Sequence, residues 1–327
     1  ITYEFEHLPV EILQALKDAN VSPDFRPNLR ALAVAQDRLT EKLYLRDNNF
    51  PLADFVELLG DSWPEDLKAF GLPCMVKTVR GGYDGKGQSR LETKGDLEKF
   101  LAHRLKEVAP DTVLVAERLI DLSKEVSCIV ARSKNTEVSK CNEVVMPVIE
   151  NVHVNSILDT SVYPSSLSAA EQKKVQEIAL AVARSLDIEG LLTVEFFIDQ
   201  SGRILINELA PRPHNSGHLT INAFCLSQFD LLARVLLDMP IFAPQAVSSS
   251  AYAMANIMGD HYNEDGTLDL SMTGAFEGYV DLVLYGKREP RKARKMGHLV
   301  TSGATAQEAL DRAKTLRKQL AGGAKLK

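Results

Sequence analysis

The chain has 327 residues, of which 45% are hydrophobic and 25% are charged. That composition is typical of a globular protein of about two domains, and it excludes a largely disordered chain, a coiled coil and a collagen-like rod. The 38 Lys and Arg residues against 44 Asp and Glu give a net charge of −6. This charge argues against non-specific nucleic-acid binding, because such binding neutralises phosphates with cations.

Two further absences in the sequence narrow the class of protein. No apolar run reaches the roughly 20 residues that span a bilayer, and the first residues do not have the pattern of a signal peptide. The four cysteines are scattered without a CxxC pair. This favours reduced thiols in a cytoplasmic protein over a disulfide framework or a zinc site.

Short strands and helices are predicted in alternation along the chain. The first half is predicted to contain a strand over 1–5, helices over 9–19, 28–46 and 65–70, strands over 74–79 and 88–91, a helix over 95–107, and strands over 113–117, 125–130 and 143–149. The second half is predicted to contain a helix over 169–186, a hairpin of strands over 191–199 and 203–209, a helix over 227–238, strands over 251–258 and 279–284, and a helix over 306–320.

A glycine-rich segment over 81–87 lies between two predicted strands and matches neither a P-loop nor GxGxxG. We interpret it as a hairpin tip whose glycines let backbone N–H groups close on an anion, with a plain flexible hairpin as the alternative. Lys77 lies within the preceding apolar strand, where a lysine needs a partner. That partner is either a phosphate or a structural carboxylate.

The predicted hairpin over 191–209 carries two glutamates in otherwise apolar strands. A turn centred between residues 201 and 202 places Glu195 opposite Glu208. Like charges at about 5 Å are destabilising, so this pair needs a cation or a shared proton. Two carboxylates together with nucleotide phosphates are typical of a magnesium site. The alternative is a register slip that turns the pair to solvent.

Three other segments are candidates for binding. The loop over 210–218 follows Glu208 with two prolines and several polar side chains, which suits an anionic substrate or simply a rigid surface loop. The basic run over 287–295 suits a phosphate or is a solvated loop. A break over 118–121, between Glu117 and Glu125, exposes backbone groups that could hold adenine, although either glutamate could be an ordinary surface residue.

Together these residues resemble the carboxyaminoimidazole ribonucleotide synthase family, the ATPase subunit or domain of phosphoribosylaminoimidazole carboxylase, within the ATP-grasp superfamily. The segments that carry the resemblance are 76–77 with 81–88, 207–218, 227–229 and 294–298. It implies an α+β, ATP-grasp fold with mostly antiparallel sheets. The expected parts are a remnant of an N-terminal domain over 1–27, a helical linker over 28–71, a glycine-loop lid subdomain over 72–121, a catalytic subdomain over 122–245, a small β-rich C-terminal domain over 246–321, and a tail over 322–327.

The resemblance also implies a reaction: the carboxylation of 5-aminoimidazole ribonucleotide with bicarbonate and ATP, through carboxyphosphate, in de novo purine synthesis. It implies an ATP site formed by Arg38, Lys77, Gly82, Tyr83, Asp84, Gly85, Lys86, Gly87, Gln88, Glu117, Arg118, Leu119, Ile120, Glu125, His153, Asn207 and Glu208. It implies that Glu195 and Glu208 hold Mg²⁺, and that Arg212, His214 and Asn215 form the catalytic bicarbonate pocket. Tyr83, Lys287 and Arg294 are matched to the ribonucleotide.

The resemblance implies a Rossmann-like N-terminal domain, of which we expect this sequence to hold only the last strand and helix. Two alternatives to the ligase are a nucleotide-binding remnant that serves in assembly and a different ATP-grasp ligase. The charged residues kept in apolar strands favour the ligase, and the run over 215–218 argues against a different one. We also expect a homodimer and a carboxylase or mutase domain as a partner in the pathway, with no membrane or nucleic-acid partner.

Overall fold

A computed structural model describes residues 1–20, 24–82, 87–107, 112–134, 142–263, 265–271 and 273–321. Two antiparallel sheets organise this part of the chain, with helices packed against them. The expected α+β architecture with mostly antiparallel sheets is therefore confirmed. Within the described residues, no helix combines the length and the apolar character needed to cross a membrane.

The smaller sheet has four strands in the order β1-β4-β2-β3. These are β1 (Phe55–Leu58), β2 (Cys74–Thr78), β3 (Gln88–Leu91) and β4 (Leu114–Arg118), and they pack against α4 (Trp63–Phe70) and α5 (Lys94–Glu107). Strands β2 and β3 form the predicted hairpin around the glycine-rich segment, with Lys77 opposite Gln88. The hairpin tip over 83–86 lies outside the described residues.

The larger sheet has nine strands, eight of them in the order β10-β9-β5-β7-β8-β11-β13-β12, with β6 paired to β5. The strands are β5 (Leu122–Arg132), β6 (Glu143–Val145), β7 (Ile149–Val154), β8 (Ile157–Tyr163), β9 (Gly190–Asp199), β10 (Ile204–Ala210), β11 (Ala251–Met258), β12 (Tyr279–Leu284) and β13 (Lys295–Gly303). Helices α6 (Ala169–Ser185), α8 (Gln228–Leu236) and α9 (Ala306–Leu320) cover it with apolar side chains. This burial forms the main core.

The remaining helices are α1 (Val10–Asp18), α2 (Leu29–Ala35), α3 (Arg38–Asp47) and α7 (Thr220–Ala223). The single helix predicted over 28–46 is wrong, because the Asp37 side chain accepts a hydrogen bond from the Thr40 N–H at 3.0 Å and starts a second helix. The strand predicted over 1–5 is also wrong. Tyr3 instead lies buried in a small apolar cluster with Phe25, Leu29 and Leu32.

The predicted strand over 143–149 is interrupted after Val145, and the second strand begins at Ile149. Strands β1, β8 and β13 were not predicted. Strand β8 pairs directly with β11, so the sheet continues across residue 246, where a boundary between two domains is expected. The division into domains stays a prediction.

Candidate active site

One cleft with a volume of about 420 Å³ is lined by residues of both sheets. Most of the predicted site residues line it, namely Arg38, Lys77, Gly82, Gln88, Glu117, Arg118, Leu119, Ile120, Glu125, His153, Glu195, Asn207, Glu208, Arg212, His214 and Asn215. Gly87, Lys287 and Arg294 are not among its lining residues. Tyr83, Asp84, Gly85 and Lys86 were also predicted to bind ligands, but they lie outside the described residues.

Strands β9 and β10 bring two carboxylates together at the edge of the larger sheet. Glu195 is directly opposite Glu208, as predicted. The register near the turn is not the predicted one, because Ile204 pairs with Ile198 and the ladder is shifted by one residue there. A β-bulge at Asn207 restores the register, so the facing of the glutamates depends on the bulge as well as on the turn.

Each of the two glutamates has a basic side chain as a partner of its own. Glu195 Oε1 lies 2.9 Å from His214 Nε2, and Glu208 Oε2 lies 3.3 Å from Arg38 Nη1. Burial raises the pKa of Glu195, but the hydrogen bond and the charge of His214 outweigh it and lower that pKa to about 2. Glu195 is therefore ionised at neutral pH, which argues against a shared proton.

Lys77 is buried on β2 and forms an ion pair with Glu117 on the neighbouring strand β4. Lys77 Nζ lies 2.8 Å from Glu117 Oε1, and the buried Lys42 Nζ lies 3.3 Å from Glu117 Oε2. Burial raises the pKa of Glu117, but the two ammonium groups outweigh it and lower that pKa to about 2. The structure thus gives Lys77 a carboxylate partner, and it shows that Glu117 is not an ordinary surface residue.

The predicted break after β4 is present, since β4 ends at Arg118 and β5 begins at Leu122. The Arg118 side chain turns away to the end of α4, where it donates to the carbonyls of Phe70 at 2.6 Å and Gly71 at 3.2 Å. The Leu119 N–H donates to the carbonyl of Pro73. Because that N–H already has an acceptor, fewer backbone groups of the break remain available to hydrogen-bond an adenine ring.

Glu125 on β5 and His153 on β7 form a hydrogen-bonded pair on the cleft wall. Burial lowers the pKa of His153, but the hydrogen bond to Glu125 outweighs it and raises that pKa. A protonated imidazole at this position would add positive charge to a cleft predicted to hold a nucleotide.

The loop after β10 is fixed by Gln228, the first residue of α8. Its side-chain oxygen accepts from the His214 N–H at 2.8 Å, and its amide donates to the His214 carbonyl at 2.8 Å. A Cβ at position 217 would approach the Gln228 Oε1 to 2.3 Å, so only glycine fits there. His214 Nδ1 in turn lies 2.8 Å from Ser216 Oγ, and this contact and the Glu195 contact orient the imidazole.

The other two predicted catalytic residues of this loop, Arg212 and Asn215, have partners that are distant in sequence. Arg212 Nε donates to Glu6 Oε1 at 2.6 Å, and its Nη1 donates to the carbonyl of Pro213. Asn215 exchanges two hydrogen bonds with the buried Asn256 of β11. These contacts hold the loop beside Glu195 and Glu208.

Comparisons with known proteins give this geometry a family. The ATP-grasp domain matches residues 43–229, and the phosphoribosylaminoimidazole carboxylase C-terminal domain matches residues 252–312. The chain is 34% identical to an N5-carboxyaminoimidazole ribonucleotide synthase of Aquifex aeolicus, over 95% of this chain and 79% of that protein. The chain belongs to the N5-carboxyaminoimidazole ribonucleotide synthase family.

Two further matches show ligands and context in this family. The Aspergillus clavatus enzyme, solved in complex with ADP and 5-aminoimidazole ribonucleotide, has a TM-score of 0.83 and 26% identity, over 98% of this chain and 81% of that one. A bifunctional purine synthesis protein of Dictyostelium discoideum is 33% identical over 91% of this chain, which corresponds to 30% of that longer protein.

ATP-grasp enzymes use Mg²⁺ alongside ATP, and the donor set of this family member suits that ion. Within the described residues no group of three or more His, Cys, Asp and Glu side chains could hold a metal alone. Two facing carboxylates are nevertheless what Mg²⁺ uses when substrate phosphates and waters supply the other ligands. Glu195 and Glu208 therefore fit a nucleotide-bound Mg²⁺.

Further charged residues that the sequence analysis missed belong to the site. Glu6 and Glu41 line the cleft, as does Lys295 at the end of the predicted basic run, and Lys42 lies just behind it against Glu117. Burial raises the pKa of Glu41 to about 8. A signal existed for two of them, because Glu41 and Lys42 lie three and four residues after Arg38 and so share its face of α3.

Proposed function

We propose that this chain is an N5-carboxyaminoimidazole ribonucleotide synthase, an ATP-dependent ligase that carboxylates 5-aminoimidazole ribonucleotide with bicarbonate in purine synthesis. One observation carries the proposal: a single cleft joins the facing carboxylates of the β9–β10 hairpin, the buried Lys77 and the loop from Arg212 to Asn215. A nucleotide site alone needs no such loop beside its metal carboxylates. The family membership supports the same reaction.

The cleft residues have separate roles in this proposal. Lys77 and Arg38 contact the phosphates of ATP, and Glu195 and Glu208 hold Mg²⁺, which when bound neutralises charge on the phosphate oxygens. Leu119 and Ile120 pack against the adenine, beside Glu117. His153 with Glu125, Asn207, and the segment over 82–88 complete the nucleotide site.

Bicarbonate is a weak nucleophile, and its phosphorylated product carboxyphosphate reacts readily with water. A productive site must hold the anion beside the γ-phosphate. The Arg212 guanidinium offers a planar donor face that matches a carboxylate-like anion, and Glu6 and the Pro213 carbonyl orient it. His214 and Asn215 complete the pocket.

The ribonucleotide is assigned to Tyr83, Lys287 and Arg294 in this proposal. The Lys287 ammonium donates to the Lys295 carbonyl at 2.7 Å, and Arg294 Nη1 donates to the Glu289 carbonyl at 3.1 Å. Both cations therefore lie on the segment that leads into β13, whose first residue, Lys295, reaches the cleft wall. This placement supports a phosphate-binding role for the segment at the rim of the cleft.

The test is phosphate release in carbon-dioxide-depleted buffer with 5-aminoimidazole ribonucleotide present, with and without added bicarbonate. The Arg212→Lys variant keeps the charge but loses the planar fork. We expect it to bind ATP normally and to lose most of its bicarbonate-dependent turnover. Arg203→Lys, at an exposed arginine of the β9–β10 turn, is the matched control and should behave like the unmutated protein.

The alternative is a nucleotide-binding remnant that serves in assembly. It predicts ATP binding without any bicarbonate-dependent phosphate release by the unmutated protein. Wild-type bicarbonate dependence in Arg212→Lys would instead contradict only the role of that arginine.

Location and partners extend the proposal. We assign the chain to the cytoplasm, where the buried thiols of Cys74 and Cys128 would stay reduced. The match within a longer bifunctional purine synthesis protein supports a carboxylase or mutase domain as the next step of the pathway. The expected homodimer can be measured by light scattering.

A further inference from the structure

Helix α3 presents three ionisable side chains to the strand that carries Glu208. Arg38, Glu41 and Lys42 stand at positions i, i+3 and i+4, which share one face of a helix. Glu41 and Lys42 are each only 1% exposed. Charged side chains are rarely buried so completely unless they have specific partners.

Those partners lie on both sides of Glu208. The Glu41 Oε2 accepts a hydrogen bond from the Leu209 N–H at 2.8 Å. The Lys42 Nζ donates to the Asn207 carbonyl at 2.7 Å. Arg38 pairs with the carboxylate of Glu208 itself, so one helix face contacts this residue and both of its backbone neighbours.

The position of Glu208 in the sheet explains why such contacts matter. Within the described residues β10 is the edge strand of its sheet, and its outer side pairs with another segment only through the isolated bridge between Leu52 and Ile206. The bulge at Asn207 interrupts the ladder directly before Glu208. The ladder alone therefore does not fix the backbone at this point, and α3 supplies the missing hydrogen-bond partners.

We propose that Glu41 and Lys42 are positioning residues that hold Glu208 opposite Glu195 at the separation required by a nucleotide-bound divalent cation. This inference rests on the proposed function, because it assumes that the two glutamates bind the cation. A small displacement of the bulge would move the Glu208 carboxylate relative to the ion, and residues that orient metal ligands typically matter 10–100-fold for metal affinity.

A purely structural role predicts a different result. Removing one partner of a buried interaction usually lowers the free energy of unfolding, so a change in stability alone does not distinguish the two roles. If they only supported the fold, their loss would lower the melting temperature and leave cation affinity unchanged. If they position Glu208, cation affinity falls in a protein that is still folded.

The experiment measures Mn²⁺ binding in the presence of ADP, by the electron paramagnetic resonance of free Mn²⁺, in Glu41→Leu and Glu41→Gln. The leucine cannot accept the Leu209 N–H, and the amide oxygen of glutamine can. We expect about tenfold weaker Mn²⁺ binding in Glu41→Leu and restoration to within about threefold of wild type in Glu41→Gln. Metal-free ADP affinity, measured by calorimetry, should change by less than threefold in both variants.

Wild-type Mn²⁺ affinity in Glu41→Leu would overturn the inference, and so would a glutamine variant as weak as the leucine variant, since the role would then depend on charge. If Glu41→Leu does not fold, Lys42→Met decides, with Arg46→Met on the exposed side of α3 as its control. We expect Lys42→Met to lose more Mn²⁺ affinity than metal-free ADP affinity. Equal Mn²⁺ affinities in Lys42→Met and Arg46→Met would overturn the inference.

Measurements on the unmutated protein distinguish a failure of the positioning role from a failure of the proposed function. If it binds Mn²⁺ with ADP and shows bicarbonate-dependent turnover while the variants match it, only the positioning role is wrong. If the unmutated protein does not bind Mn²⁺ with ADP, the proposed function fails and the positioning role fails with it.

Discussion

The two walls of the cleft place charges on buried strands in different ways. On the smaller sheet, Lys77 and Glu117 pair with each other across neighbouring strands. On the larger sheet, two carboxylate side chains, Glu195 and Glu208, face each other, and their basic partners come from a loop and from α3. The first wall pairs its buried charges with one another, whereas we propose that the second is arranged around a cation that arrives with the substrate.

The largest effect is expected on the wall with like charges. Glu208→Gln keeps the shape of the side chain but removes a charge that the bound cation requires. We expect turnover to fall by about 10³-fold, which corresponds to roughly 4 kcal/mol of transition-state stabilisation. Circular dichroism and the melting temperature should remain near wild type, because the carboxylate interacts with Arg38 at a partly exposed position. Normal turnover in this variant at low magnesium would contradict the metal site.

The sequence predicts the β9–β10 hairpin well because alternation and turn residues are local signals. It predicts Glu195 opposite Glu208 correctly, but through a register that holds only beyond the bulge at Asn207. The bulge is coupled to contacts distant in sequence, such as the Lys42 ammonium on the Asn207 carbonyl and the Ile206 N–H on the Pro51 carbonyl. No local pattern around residue 207 reports these contacts.

Two other misses have related causes. Glu41 and Lys42 are charged, so a pattern of apolar residues assigns them to solvent, although they face the interior next to Leu45. Strand β13 begins at the last residue of the basic run and contains Gly297, and both features weaken the signal for a strand. Its place between β11 and β12 is set by pairing with strands that are far from it in sequence or joined to it by a loop.

On the smaller sheet, loss of the buried ion pairs of Glu117 should lower the free energy of unfolding, and not only turnover. Glu117→Gln leaves Lys42 and Lys77 buried without their carboxylate, and breaking a buried pair in this way costs about 3 kcal/mol of unfolding free energy. Because the pKa of Glu117 is lowered to about 2, its contribution is fully present above about pH 4.5 and is lost as the pH falls towards 2.

Urea unfolding of wild type and Glu117→Gln at pH 7, 4 and 3 measures this effect. The difference in unfolding free energy should be largest at pH 7 and should shrink at each lower pH, because only the wild type loses the ionised carboxylate. A difference that stays constant with pH would mean that Glu117 contributes through packing and not through its charge.

A smaller effect is expected for Lys77→Ala, which tests whether this wall also serves the ligand. Removing one charge-assisted contact to a phosphate should weaken ATP binding by about 1.5–3 kcal/mol, or about 10- to 150-fold. Calorimetric titration with ATP and magnesium measures it. Lys68→Ala removes a lysine that forms an exposed ion pair in the same part of the fold, and it should bind ATP like wild type. Equal ATP affinity in Lys77→Ala and Lys68→Ala would limit Lys77 to its contact with Glu117.

The smallest effect is expected for an exposed ion pair between the smaller sheet and the start of α3. Arg80, just after β2, donates to Asp37 Oδ2 at 2.9 Å, and its side chain is 63% exposed. An ion pair at such a position is screened by water and contributes about 0.2–1 kcal/mol. We therefore expect Arg80→Ala to lower the free energy of unfolding by less than 1 kcal/mol at low salt, and by less still in 1 M salt, where charges are screened within about 3 Å.

Asp37→Ala should lower the free energy of unfolding by about 1 kcal/mol more than Arg80→Ala does, because Asp37 also caps α3. If Arg80→Ala instead destabilised the protein as much as Glu117→Gln, burial would not explain why the ion pairs of Glu117 contribute more than an exposed pair.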